Sequence, residues 1–174
     1  KVIGIMSGTS LDGLDIAYCT FKKGARWTYE IVEAETRTYS ATWRKKLSNA
    51  FTMKRSDLKE LDIEFGSFIA NEVRHFVKKC DIIPDFIASH GHTVFHQPDK
   101  GFTLQIGDVN RISFLCKIPV VCDFRSGDVA LKGQGAPLVP LVDKLLFSNY
   151  NACLNLGGFA NISFDNSKRK RIAF

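Results

Sequence analysis

Three groups of side chains in this chain have the types and the spacing to do chemistry. The first is the run Met6-Ser7-Gly8-Thr9-Ser10-Leu11-Asp12-Gly13-Leu14-Asp15. Ser7, Thr9 and Ser10 carry hydroxyls that can donate to phosphate oxygens, and a turn containing Gly8 and Gly13 exposes backbone N–H groups that can do the same. No Gly-Lys-Ser/Thr follows, so this is not a Walker-type loop. A phosphate-gripping hairpin and an ordinary glycine-rich turn both remain open. Asp12 and Asp15 do not begin a calcium loop, because its later ligands are missing. The second group is His90, His92 and His96. Alternation in an extended segment puts all three on one face, but a zinc site of the H-x-H-x-D-H kind needs a carboxylate where Phe95 stands, and no C-x-x-C or H-E-x-x-H occurs. The third is Asp123-Phe124-Arg125, followed by Gly133-Gln134-Gly135-Ala136-Pro137. The arginine either makes a surface salt bridge or offers its guanidinium fork to a carboxylate. The glycine string is either a close-approach loop or a structural turn. No Ser-His-Asp or Cys-His arrangement is recognisable.

The elements that must position these groups follow from periodicity. Residues 1–6, 13–21 and 27–36 read as strands of an antiparallel meander, with Lys22-Lys23-Gly24 in the second turn. From Ser56 to Lys79 the apolar residues Leu58, Leu61, Phe65, Phe68, Ile69, Val73, Phe76 and Val77 recur every three or four positions, which predicts a long amphipathic helix with Ser56 as its N-cap. Asp85 to Ser89 reads as a short strand that delivers His90 at its end. A helix over 109–117 and a strand over 120–122 come next, then a loop over 123–140, a helix over 141–147, and strands over 152–156 and 162–164 around Gly157-Gly158. The second strand–glycine–strand group echoes the first. The pattern predicts an α/β fold of two lobes, with ligands at strand C-termini.

Bulk properties narrow the function classes. The chain has 174 residues, 45% hydrophobic and 24% charged, enough to bury a core. No apolar run approaches the roughly 20 residues of a membrane span, and Lys1-Val2-Ile3-Gly4 does not begin a signal peptide. The net charge of +6 is partly local, in Lys168-Arg169-Lys170-Arg171. That cluster is short and lacks aromatic neighbours, so a solvated turn between two strands accounts for it better than a nucleic-acid site. Five scattered cysteines point to reduced thiols in a cytoplasmic protein.

The whole opening string resembles the signature of the anhydro-N-acetylmuramic acid kinases. Three further segments resemble the same family in the same order: Ser89-His90-Gly91-His92-Thr93-Val94-Phe95-His96-Gln97-Pro98; then Asp123-Phe124-Arg125 leading to Gly133-Gln134-Gly135-Ala136-Pro137-Leu138-Val139-Pro140; then Leu154-Asn155-Leu156-Gly157-Gly158-Phe159-Ala160-Asn161-Ile162-Ser163. The resemblance implies a ribonuclease H-like bilobal ATPase fold of the actin/hexokinase/chaperone kind, with an N-terminal lobe over 1–138 and the beginning of a second lobe over 139–174. It implies a sugar kinase of cell-wall recycling that opens 1,6-anhydro-N-acetylmuramic acid with water and phosphorylates O6 from ATP.

On this resemblance the nucleotide contacts are Gly8, Thr9, Ser10, Leu11, Asp12, Gly13, Leu14 and Asp15, with Gly157 and Gly158 in the second hairpin. The sugar contacts are His90, His92, Thr93, Arg125 and Gln134, with Arg125 on the lactyl carboxylate. Many relatives carry Gln where His92 stands, which favours hydrogen bonding over metal ligation. Relatives usually follow the arginine with further arginines, whereas Ser126-Gly127 follow here. Mg²⁺ is expected with ATP, its anchor open because Met6-Ser7 stand where many relatives of the wider fold have Asp. The family's general base is an Asp in an Asp-Thr-Gly-Pro-Gly segment expected just after Phe174. No catalytic residue is therefore assigned within the chain, which reads as the N-terminal half of a longer enzyme. The implied partner is a small sugar, with no nucleic acid and no membrane, and a homodimer is left open. Two rival readings are another sugar kinase on the same fold and a non-catalytic actin-like nucleotide-binding module.

Overall fold

A computed structural model of the chain describes residues 1–156, 160–168 and 170–174. Gly157 and Gly158 of the expected second hairpin, and Arg169 of the basic turn, lie outside the described residues. The β-branched opening forms β1 (Val2–Ser7), which pairs antiparallel with β2 (Gly13–Lys23), and β2 pairs antiparallel with β3 (Trp27–Thr38). After α1 (Ala41–Asn49) and the long α2 (Arg55–Cys80), the chain returns in β4 (Phe86–Gln97), parallel to β1. A turn leads to β5 (Phe102–Ile106), antiparallel to the second half of β4. Then α3 (Val109–Cys116) carries the chain to β6 (Val120–Val121), parallel to the first half of β4. An antiparallel meander whose first strand is extended by two parallel strands is the connectivity of the expected ribonuclease H-like fold.

The remainder is α4 (Ser126–Ala130), α5 (Val139–Leu146) and a second sheet of β7 (Ala152–Leu156), β8 (Ala160–Asp165) and β9 (Arg171–Ala173). α4 packs on β5, and α5 meets the first sheet's opposite edge at β3, where Phe147 meets Tyr29 edge-on at 5.8 Å. Ser163 Oγ donates to the buried Asp143 at 2.6 Å, joining β8 to α5.

The core lies between α2 and the first sheet. Leu61, Phe65, Ile69, Val73 and Phe76 of α2 cover Ile3, Ile5, Leu14, Ile16, Ile87 and Ile106. Each such side chain contributes about 1.5–3 kcal/mol on burial, so this one interface fixes the strand ends where β1 and β4 finish.

Several expected boundaries move. The α2 N-cap is Lys54, and Ser56 bonds Asp57 inside the first turn. The segment expected to leave the sheet after Ser89 continues as β4 to Gln97 because β5 pairs with it. The expected loop over 123–140 contains α4, whose start is held by Asp123 Oδ1 accepting from Ser126 N at 3.1 Å. Asn166 N donates to Lys170 O at 3.0 Å between β8 and β9, and Arg171, on β9, pairs with Asp165 at 2.9 Å. No helix among the described residues is long and apolar enough to cross a membrane.

Candidate active site

The turn between β1 and β2 is open where a ligand would approach it. Leu11 N donates to Gly8 O at 3.3 Å and closes the turn, with Leu11 at φ 58° and its side chain against the core. The amides of Thr9 and Ser10 donate to no protein group among the described residues. The Asp12 carboxylate accepts from Ser10 Oγ at 2.7 Å and from Gly13 N at 3.1 Å, and the serine's bond foremost, then the residue's own amide and that of Gly13, hold its pKa below the usual range. A Cβ on Gly8 would meet only Ser10, its hydroxyl at 3.2 Å and its amide nitrogen at 3.9 Å, so the fold itself does not require glycine there. A Cβ on Gly13 would sit 2.7 Å from Arg37 O, so that glycine serves the pairing of β2 with β3. Leu14 is in the core, and Asp15 accepts from Thr36 Oγ1 at 2.6 Å. Free amides around an uncrowded glycine suit phosphate oxygens. The exposed carboxylates of Asp12 and Asp15 are the oxygen donors at this turn that suit Mg²⁺. Ser7 is turned inward, to Tyr39 and His92.

The histidines do not share a face. Along the β1–β4 pairing, Ile5 faces Ser89 and Ser7 faces His92, so β4 carries one extra residue between them. Gly91 takes φ 69° in this bulge, and a Cβ there would lie 2.5 Å from Ile106 O. The extra residue inverts the alternation. His92 goes beneath α2, 4% exposed, 6.4 Å from the Phe65 ring, and shares a hydrogen bond with Ser7 Oγ at 3.0 Å. His90 instead meets Arg125. A second register shift, between Thr93 and Phe95, precedes His96, whose Nδ1 bonds Thr103 Oγ1 at 3.2 Å. The one-face expectation is therefore corrected: three histidines have three separate partners.

Arg125 is half-buried at the start of α4. Its Nε donates to His90 Nε2 at 3.0 Å and its Nη1 to Gly135 O at 2.6 Å. His90 must then carry its proton on Nδ1, which donates to Gly91 O at 3.0 Å. Burial, with Arg125 adding to it, lowers the His90 pKa, and burial lowers that of His92. Both of Arg125's partners are neutral, and it makes no ion pair among the described residues. The bland salt-bridge alternative is thus not what the side chain does. Its remaining N–H groups leave an uncompensated cation able to take an anion. Asp128 holds the neighbouring loop, accepting from Gly135 N on Oδ2 at 2.6 Å and from Gly133 N on its carbonyl at 2.8 Å. Gly135 has φ 62°, and a Cβ there would lie 2.7 Å from Val129 Cγ2. Gln134 is exposed, and Thr93 Oγ1 accepts from Gln105 Nε2 at 3.4 Å.

Beside His90 opens a cleft of about 260 Å³, lined among others by Gln105, Asp62, Asp108, Asn110 and Asp123. Burial raises the Asp62 pKa, although Gly107 N donates to it at 2.6 Å. The Ser89 hydroxyl, buried at the edge of this cleft, has no partner among the described residues. The cleft has room and polar groups for a small hydrophilic molecule. Tyr39, Asp128 and Asp62 escaped the sequence reading. Each acts through a contact far along the chain or through a backbone amide, and no local motif marks such contacts.

The chain matches the family model described as anhydro-N-acetylmuramic acid kinase over residues 1–174. A Francisella tularensis subsp. novicida protein named anhydro-N-acetylmuramic acid kinase is 38% identical over 174 residues, covering 91% of this chain and 46% of that protein. Proteins of the same name from Shewanella woodyi and Pasteurella multocida are 37% and 38% identical, covering 93% and 92% of this chain and 46% and 45% of their own length. The chain thus spans about half the length of the curated relatives it matches. A solved structure of Thermus thermophilus RuvC aligns over 84% of this chain and 80% of its own, with 15% identity and a TM-score of 0.39.

Proposed function

The chain belongs to the anhydro-N-acetylmuramic acid kinase family, and from that premise we propose that the protein opens 1,6-anhydro-N-acetylmuramic acid with water and transfers the γ-phosphoryl group of ATP to the freed O6. The products are N-acetylmuramic acid 6-phosphate and ADP. One arrangement carries the reading: the β4 bulge at 90–92 bonds the phosphate turn through His92 and Ser7, and Arg125 through His90. A nucleotide's phosphates and a sugar's carboxylate would thereby be referred to the same three residues.

In this reading the amides of Thr9 and Ser10 and the nearby hydroxyls orient the phosphate chain, and Gly8 leaves it room. Gly157 and Gly158 would supply the second phosphate turn. The outer edge of the Arg125 guanidinium pairs with the lactyl carboxylate, while His90, Thr93 and Gln134 line its approach and His92 backs it from beneath. Asp12 and Asp15 would hold Mg²⁺, which neutralises phosphate charge when bound. Phosphoryl transfer depends chiefly on positioning and charge neutralisation, which suits a site built of fixed donors. The general base is expected in the family's Asp-Thr-Gly-Pro-Gly segment and is not assigned to residues 1–174. Residues 1–138 and 139–174 would belong to facing lobes, and the five unpaired cysteines suit a cytoplasmic protein.

The test is sugar-dependent ADP release by the complete protein, measured with the anhydro-muramyl sugar, with a neutral hexose and without sugar. Turnover with the first alone is the expected outcome. Hexose turnover would favour a kinase of another sugar, and ATP hydrolysis indifferent to any sugar would favour an actin-like switch.

A further inference from the structure

Tyr39 lies between β3 and α1, outside every motif of the site, and is 1% exposed. Its hydroxyl donates to Ser7 Oγ at 2.8 Å, on the last residue of β1. Its backbone N–H donates to Asp12 O at 3.2 Å, at the other end of the turn. One residue therefore grips both feet of the segment 8–12. The ring is held in turn by α2, with Phe65 at 6.2 Å and Phe68 at 5.8 Å. Burial raises the phenol to about 12, so it stays a donor throughout the physiological range. Within the turn the backbone closes through a single bond of 3.3 Å between Leu11 and Gly8, and the one side-chain bond, Ser10 to Asp12, is exposed, so its shape is set mainly from outside.

We propose that Tyr39 is the positioning residue of the phosphate turn, and that the buried chain Tyr39–Ser7–His92 locks that turn to the bulge of β4. The inference rests on the kinase reading for its functional consequence and on the three buried side chains for its geometry. Phosphate donors work only within a few tenths of an ångström of their target positions. A five-residue turn with one long backbone bond and one exposed side-chain bond inside it, Ser10 to Asp12, cannot hold that tolerance alone. A hydroxyl bonded on both sides in a dry interior is costly to displace, because each broken bond leaves a buried polar group unpaired.

The experiment is Tyr39→Phe in the complete protein, which removes one oxygen and keeps the ring between Phe65 and Phe68. The kcat/KM for ATP should fall roughly ten- to a hundredfold, the scale of a small misplacement of reacting groups. The sugar KM should change far less. His92→Leu should lower the same constant, His92→Gln should lose less because its amide can still bond Ser7, and Tyr39→Phe with His92→Leu should be less than additive. Amide exchange at residues 9–13, read without substrates, should quicken in Tyr39→Phe. Unchanged ATP constants together with unchanged exchange would overturn the proposal, as would a lowered Tm with both kinetic constants intact. If Tyr39→Phe does not fold, Ser7→Ala removes the same link and is read in the same way. Quicker exchange in a protein whose wild type shows no sugar-dependent turnover would uphold the clamp and reject the kinase.

Discussion

The turn at 8–12 and the loop at 133–135 are written in similar letters, glycines around small or polar residues, and they are opposite constructions. In the first, the amides of Thr9 and Ser10 donate to no protein group among the described residues, and the Gly8 position is nearly free of neighbours. In the second, Asp128 takes the amides of Gly133 and Gly135, Arg125 takes the Gly135 carbonyl, and added side chains would collide with Asp128 and Val129. One stretch spends its glycines on a space for something else. The other fills the space itself and so fixes the guanidinium beside it. Glycine content alone does not separate a cradle from a brace; the fate of the N–H groups does.

That contrast can be broken by substitution. Gly8→Val in the complete protein should lower ATP kcat/KM by roughly a hundredfold or more, since it fills the cradle. Its Tm should stay within about 3 °C, the equivalent of roughly 1 kcal/mol in a domain of this size. Normal ATP kinetics in a folded Gly8→Val protein would remove the turn from the site. Arg125→Ala should raise the sugar KM about ten- to a hundredfold, matching the roughly 1.5–3 kcal/mol of a charged hydrogen bond, and Lys should recover only part of it. With a substrate analogue whose carboxylate is neutral the loss should nearly vanish. Equal losses with both sugars would mean that Arg125 only braces the loop.

Gly135→Ala sharpens the comparison from the other side. At φ 62° a side chain costs roughly 1–2 kcal/mol, so Tm should fall by several degrees while the ATP constants hold. A Gly135→Ala protein as stable as the wild type would show that the loop is slack. The smallest effect expected is with pH. His90 is neutral in the fold, and its pKa lies below the ordinary 6.5. The unfolded chain therefore takes the proton first, so the stability tied to neutral His90 is complete above about 6.5 and is lost as pH falls toward the lowered native value. The sugar KM should rise a few-fold over that acid window, as protonated His90 can no longer accept from Arg125. His90→Asn should flatten that rise in KM. His92, lowered in the same direction, should still contribute an acid loss of Tm.

What could be read beforehand follows from the range of the forces involved. The meander and α2 were legible because their apolar periods span many residues and answer to one core. α1 was missed although Ser40 caps it, accepting from Trp43 N at 3.2 Å, because its apolar residues are few. β5 was missed because five residues of mixed polarity become a strand only when β4 lies beside them. Arg125 stood out as a residue type at a strand end. Its partners did not, because Gly135 and His90 reach it only after the chain has folded back. The histidine alternation failed for a more local reason, an inserted residue that no count of spacing reveals.

That inserted residue also changes what one strand can be. A regular strand addresses its two sides through strictly alternate positions, so a motif of three consecutive residues has its ends on the same side. With Gly91 out of step, His90 and His92 work opposite sides of the sheet from one short stretch of chain. The strand becomes a partition with a fitting on each face. Were the bulge straightened with all three residues kept, regular alternation would send both fittings into the same room.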